Sequence, residues 1–156
     1  MTLPVYNLYS VANKTLTVSN AFVISGGVPA VSSVADNIVH MRAEYGVDDG
    51  VNDGSVTYNT VYAPNDGIVD RYISAASNWS QVIAVRVAVV ARSALAEKPA
   101  AGASAPCDTT TVAPTWSGNT GAARSFDLSA DANWKCYRYR VFETTVPLRN
   151  WIWKSS

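Results

Sequence analysis

Three long segments of the chain alternate between apolar and polar positions with period two, the pattern of a β-strand with two different faces. They cover residues 38–46, 82–92 and 134–146. In the first, Val39, Met41, Ala43 and Tyr45 share one face, and Ile38, His40, Arg42 and Glu44 share the other. In the second, Ile83, Val85, Val87, Val89 and Ala91 form a continuous apolar face opposite Arg86 and Arg92. In the third, Tyr137, Tyr139 and Val141 oppose Cys136, Arg138, Arg140 and Phe142.

These segments predict the centre of an antiparallel sheet, because each has a polar-leaning face, as in a sheet with one wet side. Glu44 and Glu143 are expected to form cross-strand pairs with the arginines of the other strands. Arg86, Arg138 and Arg140 are the candidate partners. Pro147 is expected to end the last strand, because proline lacks the N–H that a ladder needs.

Shorter elements are predicted around this centre. Residues 7–24 indicate two strands joined by a turn at residues 12–14, and the glycines and proline of residues 25–33 break the pattern. Asp-Gly pairs at 49–50, 53–54 and 66–67 predict tight turns, with residues 56–62 as one short strand or hairpin arm. Ser77 is expected to cap a short helical turn over residues 78–81, with Trp79 packed inward.

Composition and charge favour a β-rich exported protein and exclude some partners. The 156 residues predict one domain over 1–156, and only 15% are charged, against roughly 25% in an average soluble protein. Twelve basic and twelve acidic residues give zero net charge, so no nucleic-acid binding is expected. The longest apolar run, residues 82–91, is interrupted by Arg86 and is shorter than the ~20 residues of a membrane span.

Two cysteines and one histidine limit the chemistry of the chain. Cys107 and Cys136 are the obvious disulfide pair in an oxidising compartment, with two unrelated buried thiols as the alternative. A metal site from these cysteines and His40 is disfavoured, because structural zinc needs four closely organised ligands. His40 lies mid-strand with no nucleophile motif, and the chain has no phosphate-binding loop and no HExxH. No catalytic residue and no cofactor are therefore predicted.

Two further groups of residues have a functional and a structural interpretation. The acidic loops between Asp48 and Asp70 could hold calcium through their oxygens, but turn-forming Asp-Gly pairs explain the same residues. The aromatic residues near the C-terminus could stack sugars or bases, but strand aromatics more often stabilise cross-strand packing. They are Trp134, Tyr137, Tyr139, Trp151 and Trp153. Beyond Pro147, the two last tryptophans could also form an exposed patch for a partner.

Four motifs together resemble the PilW-type minor pilins of bacterial type IV pili. They are ADNIVHMRAEYGVD, DGIVDRY, NWSQVIAVRVAVVARS and WKCYRYRVFETTVPLRNWIW, in that order. More distantly, the carboxylate-ended strand, the tryptophan and the AVRV strand are similar to J-type minor pseudopilins of type II secretion. The resemblance covers residues 35–95 and 133–153 and leaves residues 1–30 and 97–132 without a counterpart.

The resemblance implies an α+β pilin-like fold that is β-dominated in this chain, with a central antiparallel sheet and long loops. It implies that a long N-terminal helix normally precedes such a domain, so the chain is expected to be a C-terminal piece that lacks it. Membrane contact is then expected only through that missing helix. The protein would be anchored in the inner membrane facing the periplasm before assembly, and extracellular in the pilus afterwards.

The implied function is that of a non-enzymatic subunit that primes pilus assembly, near the tip, with other minor pilins and the major pilin as partners. Without the helix, the apolar sheet face is expected to expose a strip along Val39, Met41, Ile83, Val85 and Val87, which predicts a possible homodimer. The alternative is a secreted adhesin-like module that binds glycans through surface aromatics.

Overall fold

A computed structural model of the chain describes residues 5–56, 58–102, 104–116 and 125–148. Its strands are β1 (Asn7–Ala12), β2 (Thr15–Ser25), β3 (Val28–Asp36), β4 (Ile38–Val47), β5 (Arg71–Ile73), β6 (Val82–Arg92) and β7 (Tyr139–Pro147). The β-dominated character is confirmed by two antiparallel sheets. The α+β pilin-like class is not confirmed, because the helical elements in these ranges are two short 3-10 turns, Trp79–Gln81 and Trp134–Cys136. No described helix is long and apolar enough to cross a membrane.

The first sheet has the order β1-β2-β3 and forms from two tight hairpins. Asn13 and Lys14 have φ values of 51° and 63°, and Gly26 and Gly27 have 62° and 86°. Two positive φ values in a two-residue loop match the twist of antiparallel strands. The first turn was predicted, but the break predicted over residues 25–33 is wrong, since β3 starts directly after Gly27. Pro29 is tolerated there because β3 is an edge strand.

The second sheet has the order β5-β4-β6-β7, and β4 pairs antiparallel with β5 through Tyr45↔Ile73 and Val47↔Arg71. The predicted strands at 38–46 and 82–92 are confirmed within one residue, and Pro147 ends β7 as expected. The third strand begins at Tyr139 instead of 134, because residues 134–136 form a 3-10 turn. The strand predicted over 56–62 is wrong, since residues 58–62 lie in a loop and the short strand is β5.

The chain divides into two compact units. One comprises residues 1–41, 89–112 and 128–140, and the other comprises residues 42–88, 113–127 and 141–156. The second unit contains a cluster of buried apolar side chains: Val56, Val69, Tyr72, Ile83 and Ala84. The single domain expected from the chain length stays a prediction.

The buried face of β6 carries a charged residue, Arg86. Ala84, Arg86, Ala88 and Val90 are buried, whereas Val85, Val87 and Val89 are only half-buried. Along β4, Glu44 is buried and Ala43 on the other face is exposed. Alternation was therefore identified correctly, but the expected apolar strip is incomplete, because Ile83 is only 7% exposed.

Candidate functional site

A buried ion pair between neighbouring strands lies at the centre of the second unit. Arg86 Nη2 on β6 donates to Glu44 Oε2 on β4 at 2.6 Å. Only 6% of Arg86 and 1% of Glu44 are exposed. The pairing of Glu44 with Arg86 that the sequence predicted is thus confirmed. Because both side chains are almost fully withdrawn from bulk water, their mutual attraction helps to offset the cost of burying two charges.

Two aromatic rings hold the Arg86 guanidinium. Its central carbon lies 3.9 Å from the centroid of the Tyr72 ring and 4.7 Å from that of Trp116, within the range of cation–π attraction. Burial lowers the pKa of Arg86, while the nearby Tyr72 and Glu143 oppose this shift. Phe126 stacks on Trp116 at 6.2 Å between centroids and is itself fully buried. The sequence pattern predicts no role for Trp116 or Phe126, because neither lies in a periodic segment.

The acidic loops use their carboxylates to order backbone. Asp48 accepts from the N–H groups of Asp66 (3.3 Å) and Gly67 (2.7 Å). Asp70 accepts from Gly50 N–H at 2.6 Å and from Asn59 Nδ2 at 2.9 Å. Asp48 and Asp70 are both fully buried. Their oxygens therefore join loop segments that are 18–20 residues apart in the sequence through main-chain N–H groups.

Other acidic side chains of these loops also have local partners. Asp49 binds Arg71 in a fork, with Nη2 at 2.6 Å and Nε at 2.9 Å from Oδ2, and this hydrogen bond raises the pKa of Arg71. Asp53 accepts from the N–H of Ser55 at 2.8 Å. Across the ranges the structure describes, no three His, Cys, Asp or Glu side chains are grouped as metal ligands.

An apolar cavity of about 370 Å³ opens in the same unit. Val69, Tyr72, Ile83 and Leu148 contribute to its lining, together with Tyr58. Tyr58 is 64% exposed, but its hydroxyl end lies against Tyr72, and burial there raises the pKa of Tyr58. The lining of this cavity provides apolar contacts and the phenol groups of Tyr58 and Tyr72. Such a cavity is better suited to binding an apolar side chain than to acid–base chemistry.

His40 lies on β4 and is half-buried. It lines a cavity of about 290 Å³ with Val11, Val39 and Met41. The other three residues of this lining are apolar, and none of them is a serine or a cysteine. The strand-histidine interpretation of the sequence accounts for this position.

In the first unit, a disulfide joins Cys107 to Cys136, as predicted. Backbone hydrogen bonds continue this junction: Glu97 N–H donates to Cys136 O at 2.7 Å, and Thr110 N–H donates to Lys135 O at 3.0 Å. The long connector after β6 is thereby fixed to the turn that precedes β7.

The C-terminal arginines and aromatics of this unit are engaged in packing. Arg92 lies 3.9 Å from the centroid of Tyr137 and binds Asp131 at 3.1 Å. Tyr139 donates its hydroxyl to Trp134 O at 2.9 Å, and its burial raises its pKa. Arg138 pairs with Glu97 across 3.1 Å, and not with Glu44 or Glu143 as the sequence had suggested. Trp151 and Trp153 lie outside the described residues.

Trp79 is placed differently from the prediction. It is 63% exposed instead of packed inward, and its ring meets Tyr45 edge-on at 5.0 Å. The 3-10 turn is capped by Asn78, whose side chain accepts from Ser80 N–H at 3.1 Å, and not by Ser77. Asparagine and serine are equally good N-caps, so the sequence alone could not choose between adjacent positions.

Comparison with known proteins gives one family. The family model of PilW, the type IV pilus-assembly protein W, matches residues 6–150. No curated protein and no solved structure shows a significant match to the chain.

Proposed function

Because the chain belongs to the PilW family of type IV pilus-assembly proteins, we propose that it acts as a minor pilin near the pilus tip. In this role it is a structural subunit that primes or supports assembly and performs no catalysis. Family membership gives the role in pilus assembly and a location in the cell envelope or pilus. The buried Glu44–Arg86 pair supports a structural subunit, because the two opposite charges are paired with each other inside the protein.

The unequal burial of the two faces of β6 is the observation that carries this proposal. One face is closed around Arg86, while Val85, Val87 and Val89 on the other face remain half-buried. A contiguous apolar surface of this kind is typical of a contact with another element. In a minor pilin, the long N-terminal helix implied by the family resemblance covers this face of the sheet.

The proposed partners are other minor pilins and the major pilin. The proposed route is anchoring in the inner membrane on the periplasmic side, followed by transfer into the extracellular pilus. The disulfide between Cys107 and Cys136 is suited to that route, because such bonds persist in oxidising compartments.

The test is piliation with Val85→Asp and Val87→Asp together in the full-length protein. Two carboxylates at a helix–sheet interface would be buried without partners, which is strongly unfavourable, so pili should be lost. The matched control is Leu95→Asp with Val112→Asp, which adds the same charge at positions that are 81% and 75% exposed. Normal piliation with the first pair, at wild-type protein level, would contradict the proposal.

One observation favours the alternative of an adhesin-like module. Trp79 is exposed beside Tyr45, and exposed aromatic rings are suited to stacking on sugars. Trp79→Ala should then abolish glycan binding on an array while piliation remains normal. If the Trp79→Ala variant still binds glycans, Trp79 is not the glycan-binding residue and this alternative loses its support.

A further inference from the structure

The first sheet exposes both of its faces over much of its length. Its exposed large apolar side chains, with those just before β1, are Val5, Tyr6, Leu8, Tyr9, Phe22, Val23, Ile24, Val28, Val31 and Val34. A small sheet normally gains its stability by packing a hydrophobic face. So many exposed apolar residues on one small sheet mark an interaction surface.

The outer edge of β1 offers a row of backbone donors and acceptors. The pair Ala12↔Thr15 closes the two-residue turn, and Tyr6 O accepts from Ala21 N–H at 3.0 Å. Hydrogen-bonded pairs recur at every second residue of an antiparallel ladder. The even positions of β1 therefore face β2, and the N–H and C=O groups of Asn7, Tyr9 and Val11 point away from it.

The two edges of this sheet differ in how well they resist pairing. On β3, Pro29 faces outward without a donor, because Ser25↔Val28 forms the hydrogen-bonded pair that closes the Gly26–Gly27 turn. The pairing of β2 with β3 also has two register shifts. β1 has the sequence NLYSVA in unbroken register, with no charge and no proline. Since charges, proline and bulges are the usual protections of an edge, β1 is the open edge.

We infer that β1 pairs antiparallel with β1 of a second copy of this chain, about a two-fold axis at Tyr9. In this register Tyr9 faces Tyr9 of the partner subunit, and Asn7 faces Val11 of the partner subunit twice. All three positions are outward-facing, as a hydrogen-bonded pairing requires. The result is a continuous six-stranded sheet. This inference goes beyond the role in pilus assembly.

The chemistry of the strand favours a second copy as the occupant. A strand without charge gains nothing from an oppositely charged partner, and it meets no like charge when it faces itself. The aromatic pair at Tyr9 is a favourable cross-strand contact. Since only about one strand per chain takes part, the interface is smaller than a standard one and the association should be weak.

Ultracentrifugation of the 156-residue chain over a concentration series tests the pairing. Wild type should show a reversible monomer–dimer equilibrium. Tyr9→Lys and Tyr9→Glu should each weaken it about tenfold, because like charges then face each other and the aromatic pair is lost. A mixture of the two variants should form a heterodimer, because Lys then faces Glu. The matched control is Val31→Lys on β3, 64% exposed, which should leave the dimer unchanged.

Amide hydrogen exchange in the wild type provides a second readout. The N–H groups of Asn7, Tyr9 and Val11 should gain protection in the dimer, while those of Leu8 and Ser10 are protected in both states. A chain that stays monomeric at all concentrations would overturn the inference, as would a dimer that forms without protecting these three amides. A dimer that tolerates both Tyr9 variants would overturn it too. Since Val85 and Val87 are not involved, failure here leaves the proposed function standing.

Discussion

Replacing Arg86 with methionine should destabilise the protein strongly. The side chains of Arg86 and Glu44 are 8% and 1% exposed, and their charged atoms are 2.6 Å apart. Methionine approximates the volume of the arginine stem but leaves the buried Glu44 carboxylate without the guanidinium that it faces. Breaking a buried pair in this way costs about 3–5 kcal/mol. The lost contacts with the Tyr72 and Trp116 rings add about 0.5–2 kcal/mol each.

A total loss of about 4 kcal/mol or more is therefore expected in the free energy of unfolding, measured by urea denaturation at neutral pH. For a chain of this size each kcal/mol lowers the melting temperature by roughly 2–4 °C. The double variant Glu44→Gln with Arg86→Met should lose clearly less, because the buried negative charge is removed together with the guanidinium.

The matched control is Arg71→Met, which breaks the Asp49–Arg71 pair. The side chains of that pair are 13% and 30% exposed, and its atoms are also 2.6 Å apart. Water screens this contact, so the loss should be about 1 kcal/mol or less. If Arg86→Met cost no more than Arg71→Met, or the double variant were as unstable as Arg86→Met, burial of an uncompensated charge would not be what makes this position sensitive.

Three other predictions concern the disulfide, acid stability and calcium. Cys107→Ser with Cys136→Ser should lower the unfolding free energy by about 3.5 kcal/mol on the chain-entropy model, since the bond closes a separation of 29 residues; an unchanged urea midpoint would contradict this. The pKa of Asp131 is lowered below its usual 3.8 by Asn133 N–H and then by Lys14 and Arg92. The ionised Asp131 carboxylate therefore stabilises the folded protein above pH 3.8, and this stabilisation is lost as the pH falls through the lowered pKa. The urea midpoints of wild type and Asp131→Asn should therefore converge as the pH falls through that pKa. A difference between the two midpoints that stays constant with pH would contradict this prediction. Calcium should not change the melting temperature, although a site filled at 100 times its Kd would add about 2.7 kcal/mol; a calcium shift abolished by Asp53→Ala would refute this.

The sequence by itself predicted the features that depend on neighbouring residues or on composition. Period-two alternation located β4 and β6, because the side chains of a strand alternate whatever surrounds it. The turn at Asn13–Lys14 followed from local chemistry, and the Cys107–Cys136 bond followed from there being only two cysteines. The four motifs indicated the PilW family, which the family comparison confirmed.

Features that depend on distant segments were predicted less well. β3 was missed, because a glycine pair and Pro29 break a central strand but are accepted at a hairpin and an edge. Whether a strand is at the edge depends on the order of strands, and that order is not visible in a local pattern. Trp79 was expected inside and is exposed, since its burial depends on what lies above the 3-10 turn.

Only the tertiary structure decided which face of β6 is the core. Alternation identified two faces, and hydrophobicity favoured the one with Val85 and Val87 as the face to be covered. The buried face is instead the one with Arg86, because Glu44 on the adjacent strand neutralises the guanidinium and two rings enclose it. A charge can be buried when its partner is buried with it, and the partner lies 42 residues away. The apolar face is thereby left half-open, where a second element can pack.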